Sequence, residues 1–400
     1  MMVNFYKEDR MKRILVITSS MRMGGVEKSM LRLLKQINYE KYEVTLLLVK
    51  KEGELYGDIP KDIKIIEMDF ENESYRREAL SLSEKSWFHR VLLSVDHSIF
   101  HRKLQIPSKC VRNVLKHVFP LKEEYDLAID FHGYGHFGIP FLTEKVNAKV
   151  KVEFIHDENI SGYYKVARYL RKIDYYFAVS EACRQVFSKE YSNLKDRICV
   201  FENIIDVETI RKLGKEINAE EINKNEGEIT FVSVGRLEEQ KGFDRGVEAF
   251  SQLKAEGYKF AWYIIGEGSQ KDNLEKEILK KKLGDSILLL GSRPNPFPYM
   301  MQADVLLQPS RHEGKPLTVF EGQILGIPAL VTQYSAAEEQ ILHDVNGYIV
   351  ENTNEGIYDG LKFVLNNTER ITKWKKELEK VTFSNEKSME MIYSLMGDKM

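Results

Sequence analysis

Two doubly wound α/β domains in tandem are what the sequence predicts. Three observations carry this. The chain has 400 residues with 43% hydrophobic and 30% charged content, enough to bury two cores rather than one. From Arg13 it runs strand, loop, helix, strand, which is the parallel crossover unit. After a polar stretch that follows Phe201, the same grammar begins again.

In the first half, "RILVIT" reads as a buried strand and "SSMRMGG" as a loop. "VEKSMLRLLKQI" has its apolar residues at helical spacing, and "YEVTLLLV" is the next strand. Further strands are expected at "DLAIDF", "KVEFIH", "YYFAVS" and "RICVF", as an open parallel sheet requires. The polar segment 206–227 is expected to link a first domain, 1–205, to a second, 228–380. A last helix within 381–400 is expected to pack back on the first domain. In the second domain the order is "ITFVSV" strand, "GRLEEQKG" loop, "FDRGVEAFSQLK" helix, then strands "FAWYIIG", "SILLLGS", "DVLLQPS", "PALVT" and "GYIV". Ligands of such sheets sit at the carboxyl ends of the strands, and two such ends facing each other would form a cleft.

Composition excludes several classes. A formal net charge of −2 gives no global attraction to nucleic acid. Cys110, Cys183 and Cys199 lack metal-ligand spacing and fit a reducing cytosol, so structural zinc is not expected. The polar opening "MMVNFYKEDRMKR" reads as no signal peptide, and no apolar run approaches the roughly 20 residues of a spanning helix. A cytoplasmic protein is expected.

The stretch "RHEGKPLTVFEGQILGIPALVT" puts Glu313 in a loop and Glu321 inside the helix that follows. Pro316 suits the first helical position, and Gly326 with Pro328 reads as the stop, so a helix is expected from Pro316 to Leu325. Its start follows a strand end, where unpartnered N–H groups favour an anion. Glu313 and Glu321 would border that anion, which points to a ligand carrying hydroxyl groups around it. In "VGRLEEQKG", Gly235 would allow a tight turn, and Arg236 and Lys241 would place two cations beside it, suited to a diphosphate. In "SSMRMGGVEK", Gly24 and Gly25 would let backbone approach a ligand at a helix start, although the P-loop Lys-Ser/Thr pair is missing.

Taken in order, "GGVEKS", "FIHDE", "GRLEEQKG" and "HEGKPLTVFEGQILGIPALVT" resemble family 4 of the retaining glycosyltransferases, which have the GT-B fold. The resemblance covers most of the chain and rests on the ordered set, including the E-x7-E spacing of Glu313 and Glu321. It implies a nucleoside-diphosphate sugar held by the second domain and an acceptor held mainly by the first. It assigns Arg236 and Lys241 to the diphosphate, Glu321 to the ribose hydroxyls and Glu313 to the donor sugar. Gly314, Lys315, Pro316 and Leu317 match the loop that cradles sugar and phosphate. His156 matches a histidine facing the donor sugar. Retention, a front-face displacement and the proton passing to the leaving phosphate also come from the resemblance alone. The chain has no Asp-x-Asp sequence, so no metal and no cofactor are expected. UDP is favoured over GDP as the donor base, and the donor's sugar is a hexose or a related unit. Departures from the family pattern are Gly314-Lys315-Pro316 where Gly-Phe-Gly is common, "NIID" at 203–206, and "QYSAAEEQI" after Thr332. These touch specificity more than fold.

His132 and His136, in "DFHGYGHFG", are candidates for the acceptor side. The segment 85–118 holds seven Lys/Arg against one acid, Asp96, with Phe88, Leu92, Val95 and Ile99 at helical spacing. It reads either as a peripheral helix for an anionic membrane surface or as a helix packed on the first domain. The expected function is transfer of a sugar to a glycan or lipid-linked acceptor in cell-surface polysaccharide biosynthesis. A catalytically silent copy acting as the partner of an active transferase is the alternative, as is a sugar-nucleotide epimerase or phosphorylase on the same fold. The intact set of Arg236, Lys241, Glu313 and Glu321 opposes the silent copy. An epimerase would work without an acceptor, and no cofactor-bearing lysine of a phosphorylase is identifiable.

Overall fold

The computed structural model describes residues 10–68, 120–133, 137–216 and 227–398, together with residues 115, 118, 222 and 225. Segment 85–118, apart from the buried Leu115 and Val118, and His136 lie outside the described residues. The chain divides into two compact units. One comprises 1–179, 184–204 and 385–400, and the other 180–183 and 205–384.

The first unit is built on a seven-stranded sheet of order β3-β2-β1-β4-β5-β6-β7. Its strands are β1 (Lys12–Thr18), β2 (Tyr42–Leu48), β3 (Lys64–Glu67), β4 (Glu124–Asp130), β5 (Asn147–Ile155), β6 (Tyr175–Ala178) and β7 (Ile198–Val200). All its pairings are parallel. Ile14, Leu15, Val16 and Ile17 of β1 are all buried, as expected of a strand covered on both faces. Sheet order reverses direction between β1 and β4, and ligands of such sheets gather at that point.

Helix Glu386–Ser394 also belongs to this unit. Met389, Ile392 and Tyr393 join its core, Tyr393 stacks on Tyr42 with ring centroids 4.8 Å apart, and Lys12 bonds Asp398. The chain's last helix is therefore stapled to the N-terminal ends of β1 and β2 by an aromatic pair and an ion pair.

The second unit has six parallel strands in the order β10-β9-β8-β11-β12-β13. These are β8 (Ile229–Val234), β9 (Phe260–Ile265), β10 (Ile287–Gly291), β11 (Val305–Gln308), β12 (Ala329–Thr332) and β13 (Gly347–Val350). Its reversal lies between β8 and β11. One face carries a core with Trp262, Phe250 and Trp374, and the other a core with Met300, Val319 and Tyr334. The segment read as linker starts differently: Val207–Gly214 is a helix capped by Asp206, whose side chain accepts from the Thr209 N–H. Its Ile210 enters the second unit's core, so amphipathic packing overrides the polar composition that suggested a linker.

Helix Phe243–Ala255 lies against β9 at Gly246, where a Cβ would meet the Trp262 ring at 2.5 Å. That ring is fully buried and its Nε1 donates to Ser233 Oγ at 2.9 Å, so it has little room to yield. Gly246→Ala should therefore destabilise the protein by about 1–2 kcal/mol, the overpacking outweighing the gain in helix propensity. Urea unfolding would show this as a lower midpoint; an unchanged or raised midpoint would mean that the ring moves freely. Among the described residues, no helix is long and apolar enough to cross a membrane.

Candidate functional site

In the second unit, the loops after β8 and β11 meet at the reversal of strand order. Gly242 is what lets them touch. It sits at φ 66, and a Cβ there would be 2.1 Å from the Pro309 carbonyl oxygen. The backbone N–H of Arg311 donates to the Gln240 carbonyl at 2.8 Å, and Gln240 Nε2 donates to the His312 carbonyl at 3.0 Å. Helix Phe243–Ala255 adds two clasps from its first turn. Arg311 forks the Asp244 carboxylate at 2.8 and 2.6 Å, while Arg245 donates to the Pro309 carbonyl at 2.7 Å and to Asn352 Oδ1 at 2.8 Å. Gly235 plays a different part from the one expected: it is not among the residues of positive φ, and the Lys241 stem packs 3.4 Å from where its Cβ would be. Glycine is there to make room for the lysine.

This lacing brings Lys241 and Glu313, 72 positions apart in sequence, to 2.6 Å. Both are largely buried, with 16% and 7% side-chain exposure. Glu313 Oε1 also accepts from Gln308 Nε2 at 2.8 Å and Ser310 Oγ at 2.6 Å. Three donors thus converge on one oxygen, and Oε2 has no donor among the described residues. An ammonium has three N–H groups, so Lys241 can hold Glu313 and still offer hydrogens to an anion. Arg236 is exposed, and its side chain makes no ion pair or hydrogen bond among the described residues.

Helix Leu317–Ile324 follows directly, with Pro316 as its cap at φ −64, ψ 127. It starts one residue later than expected, because Pro316 is extended rather than helical. Gly326 takes the left-handed conformation expected of the stop, φ 74. Gly314, Lys315 and Pro316 are buried, Leu317 half-buried, and Glu321 is buried on the second turn. Lys315 Nζ approaches Glu339 Oε2 at 3.4 Å and lies 5.7 Å from the Phe320 ring. Glu339 also accepts the N–H groups of Glu181 and Ala182 at 3.1 and 3.0 Å, capping the helix they begin. One carboxylate therefore ties the Gly314–Leu317 loop to a neighbouring helix start.

The first unit places its candidates at the ends of β1, β4 and β5. His132 follows β4, and one of its ring nitrogens, Nδ1, lies 3.1 Å from Ser19 Oγ, which follows β1. His156 follows β5 and donates from Nε2 to the Phe131 carbonyl at 2.6 Å. That bond fixes the neutral tautomer with Nδ1 as acceptor, and desolvation pushes the imidazole down to about 4. His156 is thus a neutral polar group at neutral pH rather than a cation. Helix Gly25–Gln36 begins after Gly24, yet the space over Gly24 is filled by the chain's own Glu27, whose Oε2 would lie 2.3 Å from a Cβ. Gly25 has nothing within 4 Å of its Cβ position. A carboxylate at that helix start opposes a phosphate there, so the anion feature expected at Gly24 and Gly25 is reduced to the open face of Gly25.

The strand-end motifs pointed to Lys241 and Glu313 but not to Gln308, Ser310, Asp244, Arg245 or Glu339. Gln308 and Ser310 carried a signal: polar residues closing an otherwise apolar strand. Arg245 and Glu339 gave none, because each looks like an ordinary surface charge on a helix.

Two parallel-sheet α/β units, each with its polar loops at the strand-order reversal, are the GT-B architecture of glycosyltransferases. Residues 214–381 match the family Glycosyl transferases group 1. Among curated relatives, an uncharacterized glycosyltransferase, MJ1059 of Methanocaldococcus jannaschii, is 26% identical over 160 residues, 40% of this chain and 39% of the relative. The amylovoran biosynthesis glycosyltransferase AmsK of Erwinia amylovora is 33% identical over 129 residues, 30% of this chain and 32% of the relative. The match thus spans less than two-fifths of either relative's length. Among solved structures, Anabaena HepE in complex with UDP and glucose aligns over 97% of this chain and 100% of its own, with a TM-score of 0.67 and 15% identity.

Proposed function

We propose that the chain transfers a sugar, a hexose or a related unit, from a nucleoside diphosphate to a glycan or lipid-linked acceptor, with retention of configuration. The observation that carries this reading is the pairing of Lys241 with Glu313 beside the Gly314–Leu317 helix start at the reversal between β8 and β11, where the loop after β8 also carries Arg236. Two cations and a helix terminus oppose the charge that grows on a leaving diphosphate. Glu313, already held through Oε1, offers Oε2 to a sugar hydroxyl, and Glu321 offers its carboxylate to the ribose. In the transfer, the bond from the anomeric carbon to the diphosphate oxygen breaks as the acceptor oxygen bonds that carbon. The acceptor's proton passes to the leaving diphosphate. His156, neutral and oriented by the Phe131 carbonyl, presents Nδ1 as an acceptor for a sugar hydroxyl.

UDP is the favoured donor base, a reading supported by the UDP in the HepE complex. A role in polysaccharide biosynthesis is supported by the name of AmsK. A cytoplasmic location, and docking on an anionic membrane face through 85–118, belong to the same proposal. Thermal shift with UDP- and GDP-sugars tests the donor, since a ligand at about 100 times its Kd adds about 2.7 kcal/mol. Stabilisation by UDP-sugars alone is expected, and no shift with any nucleotide sugar would defeat the reading. Nucleotide release that requires a glycan acceptor separates transfer from epimerisation.

Because Arg236 and Lys241 supply the positive charge, transfer should persist in EDTA. Loss of transfer in chelator, restored by magnesium or manganese, would show that a metal ion is needed beside them.

A further inference from the structure

The strand β4 ends on Asp130, and its register partner on β5 is Glu153. Both are buried, at 1% and 0% exposure, and their carboxyl groups are in hydrogen-bonding contact. Two ionised carboxylates have only acceptors, so such a contact exists only if one of them carries a hydrogen. The unpaired atoms agree: Asp130 Oδ2 and Glu153 Oε2 are fully buried and neither has a donor. Tyr163 adds to the deficit. Its hydroxyl has one hydrogen and two acceptors at 3.1 Å, Glu153 Oε1 and the Phe154 carbonyl.

We propose that Asp130 and Glu153 form a proton-binding site, holding a shared hydrogen at neutral pH, and that this proton seats the loop 131–133 that carries His132 and orients His156. The link to the loop is direct. Asp130 Oδ1 accepts the His132 N–H at 3.2 Å, the Gly133 N–H also bonds Asp130, and the Phe131 carbonyl receives His156 Nε2–H.

The surroundings favour a proton over a metal or an ion-pair partner. At Asp130's register β1 offers Ile17, and at Glu153's register β6 offers Tyr176. The turn Tyr163–Val166 offers the Tyr163 phenol. Helix Gly138–Lys145 offers Gly138, where a Cβ would lie 1.9 Å from Asp130 Oδ2. None of these is a cation. The two imidazoles nearby are turned elsewhere, His132 to Ser19 and His156 to the Phe131 carbonyl. Desolvation with no compensating cation raises both carboxyls, Asp130 to about 7 and Glu153 well above the usual range. The site does not depend on the donor chemistry proposed above, and its test uses no nucleotide sugar.

The sign of the pH dependence follows from linkage. An unfolded carboxyl releases its proton near pH 4, while in the folded pair burial pushes Asp130 up to about 7 and Glu153 well above its ordinary range. Stability from the protonated pair is therefore full below about pH 4 and is lost as pH rises through about 7. Glu153→Gln places an amide donor against Asp130 without a proton to lose. From pH 5 to 8, the Tm of Glu153→Gln relative to wild type should rise by several degrees, because only the wild type loses its shared hydrogen. Infrared spectra of wild type with 13C-labelled carboxyl groups should show a protonated carboxyl band at pH 6 that is missing from the Asp130→Asn/Glu153→Gln double variant. A Tm difference that stays flat with pH, or a wild type without that band, would overturn the proposal. The wild-type spectrum decides the matter even if the variants fold poorly.

Discussion

Glu313→Ala should lower stability by about 3 kcal/mol, one of the two largest effects expected of any single change at the candidate site. The substitution takes the acceptor from Lys241 Nζ, Gln308 Nε2 and Ser310 Oγ together. It leaves a largely buried ammonium without its counterion, and removing one partner of a buried pair is more damaging than replacing both. The double variant Lys241→Met/Glu313→Leu should therefore recover much of the loss, giving a coupling energy above about 1 kcal/mol in a double-mutant cycle. Urea unfolding of wild type, Lys241→Met, Glu313→Leu and the double variant measures it. If the two single changes simply add, the pair contributes no mutual stabilisation, and the lacing between the two loops must come from the Asp244–Arg311 fork and the Arg245 bonds instead.

Much of this site was legible because it obeys local rules. A glycine or proline beside a strand end, with a helix to follow, marks backbone that comes close to a ligand, and both Pro316 and Gly326 sit at the ends of Leu317–Ile324. What stayed hidden was decided by contacts between segments distant in sequence. Lys241 and Glu313 were each read as facing a ligand, yet they first face each other. Gly24 looked like open backbone, but Glu27, three residues on, turns back over it. Residues 207–214 looked like linker because five of the eight are polar or glycine, whereas the one buried side chain, Ile210, decided the packing. Asp130 and Glu153 stood in plain view inside "DLAIDF" and "KVEFIH". A single acid in an apolar strand reads as a tolerated exception until register places two of them side by side.

The same logic bears on Lys315, which departs from the glycosyltransferase pattern at the helix start. The resemblance assigns it to the loop that cradles sugar and phosphate. In the structure its side chain is only 3% exposed and meets Glu339, which in turn caps the helix beginning at Glu181. A buried lysine so placed holds the Gly314–Leu317 loop in position. Lys315→Met should therefore act on how precisely that loop is held more than on the net charge offered to a ligand.

Arg236→Ala and Lys241→Ala should each lower turnover by at least as much as they weaken donor binding, on the order of 100-fold in turnover, as for the loss of one preorganised stabilising donor. Charge on the diphosphate is smaller in the bound donor than at the transition state, so a cation placed to meet it contributes more as the bond to the anomeric carbon breaks. The two cations differ in the ground state. Arg236 is exposed and unpaired among the described residues, whereas Lys241 starts bonded to Glu313. Lys241→Ala should consequently also lower stability, as Glu313→Ala does, while Arg236→Ala should leave the melting temperature within about 1 °C, as for surface changes that remove no contact. Single-turnover kinetics at saturating donor, run beside thermal melts, separate these effects. Arg236→Ala with unchanged turnover and weaker donor binding would make Arg236 a uniform binder of the diphosphate. The charge that opposes departure of the leaving group would then have to come from Lys241 and the helix start at Leu317 alone.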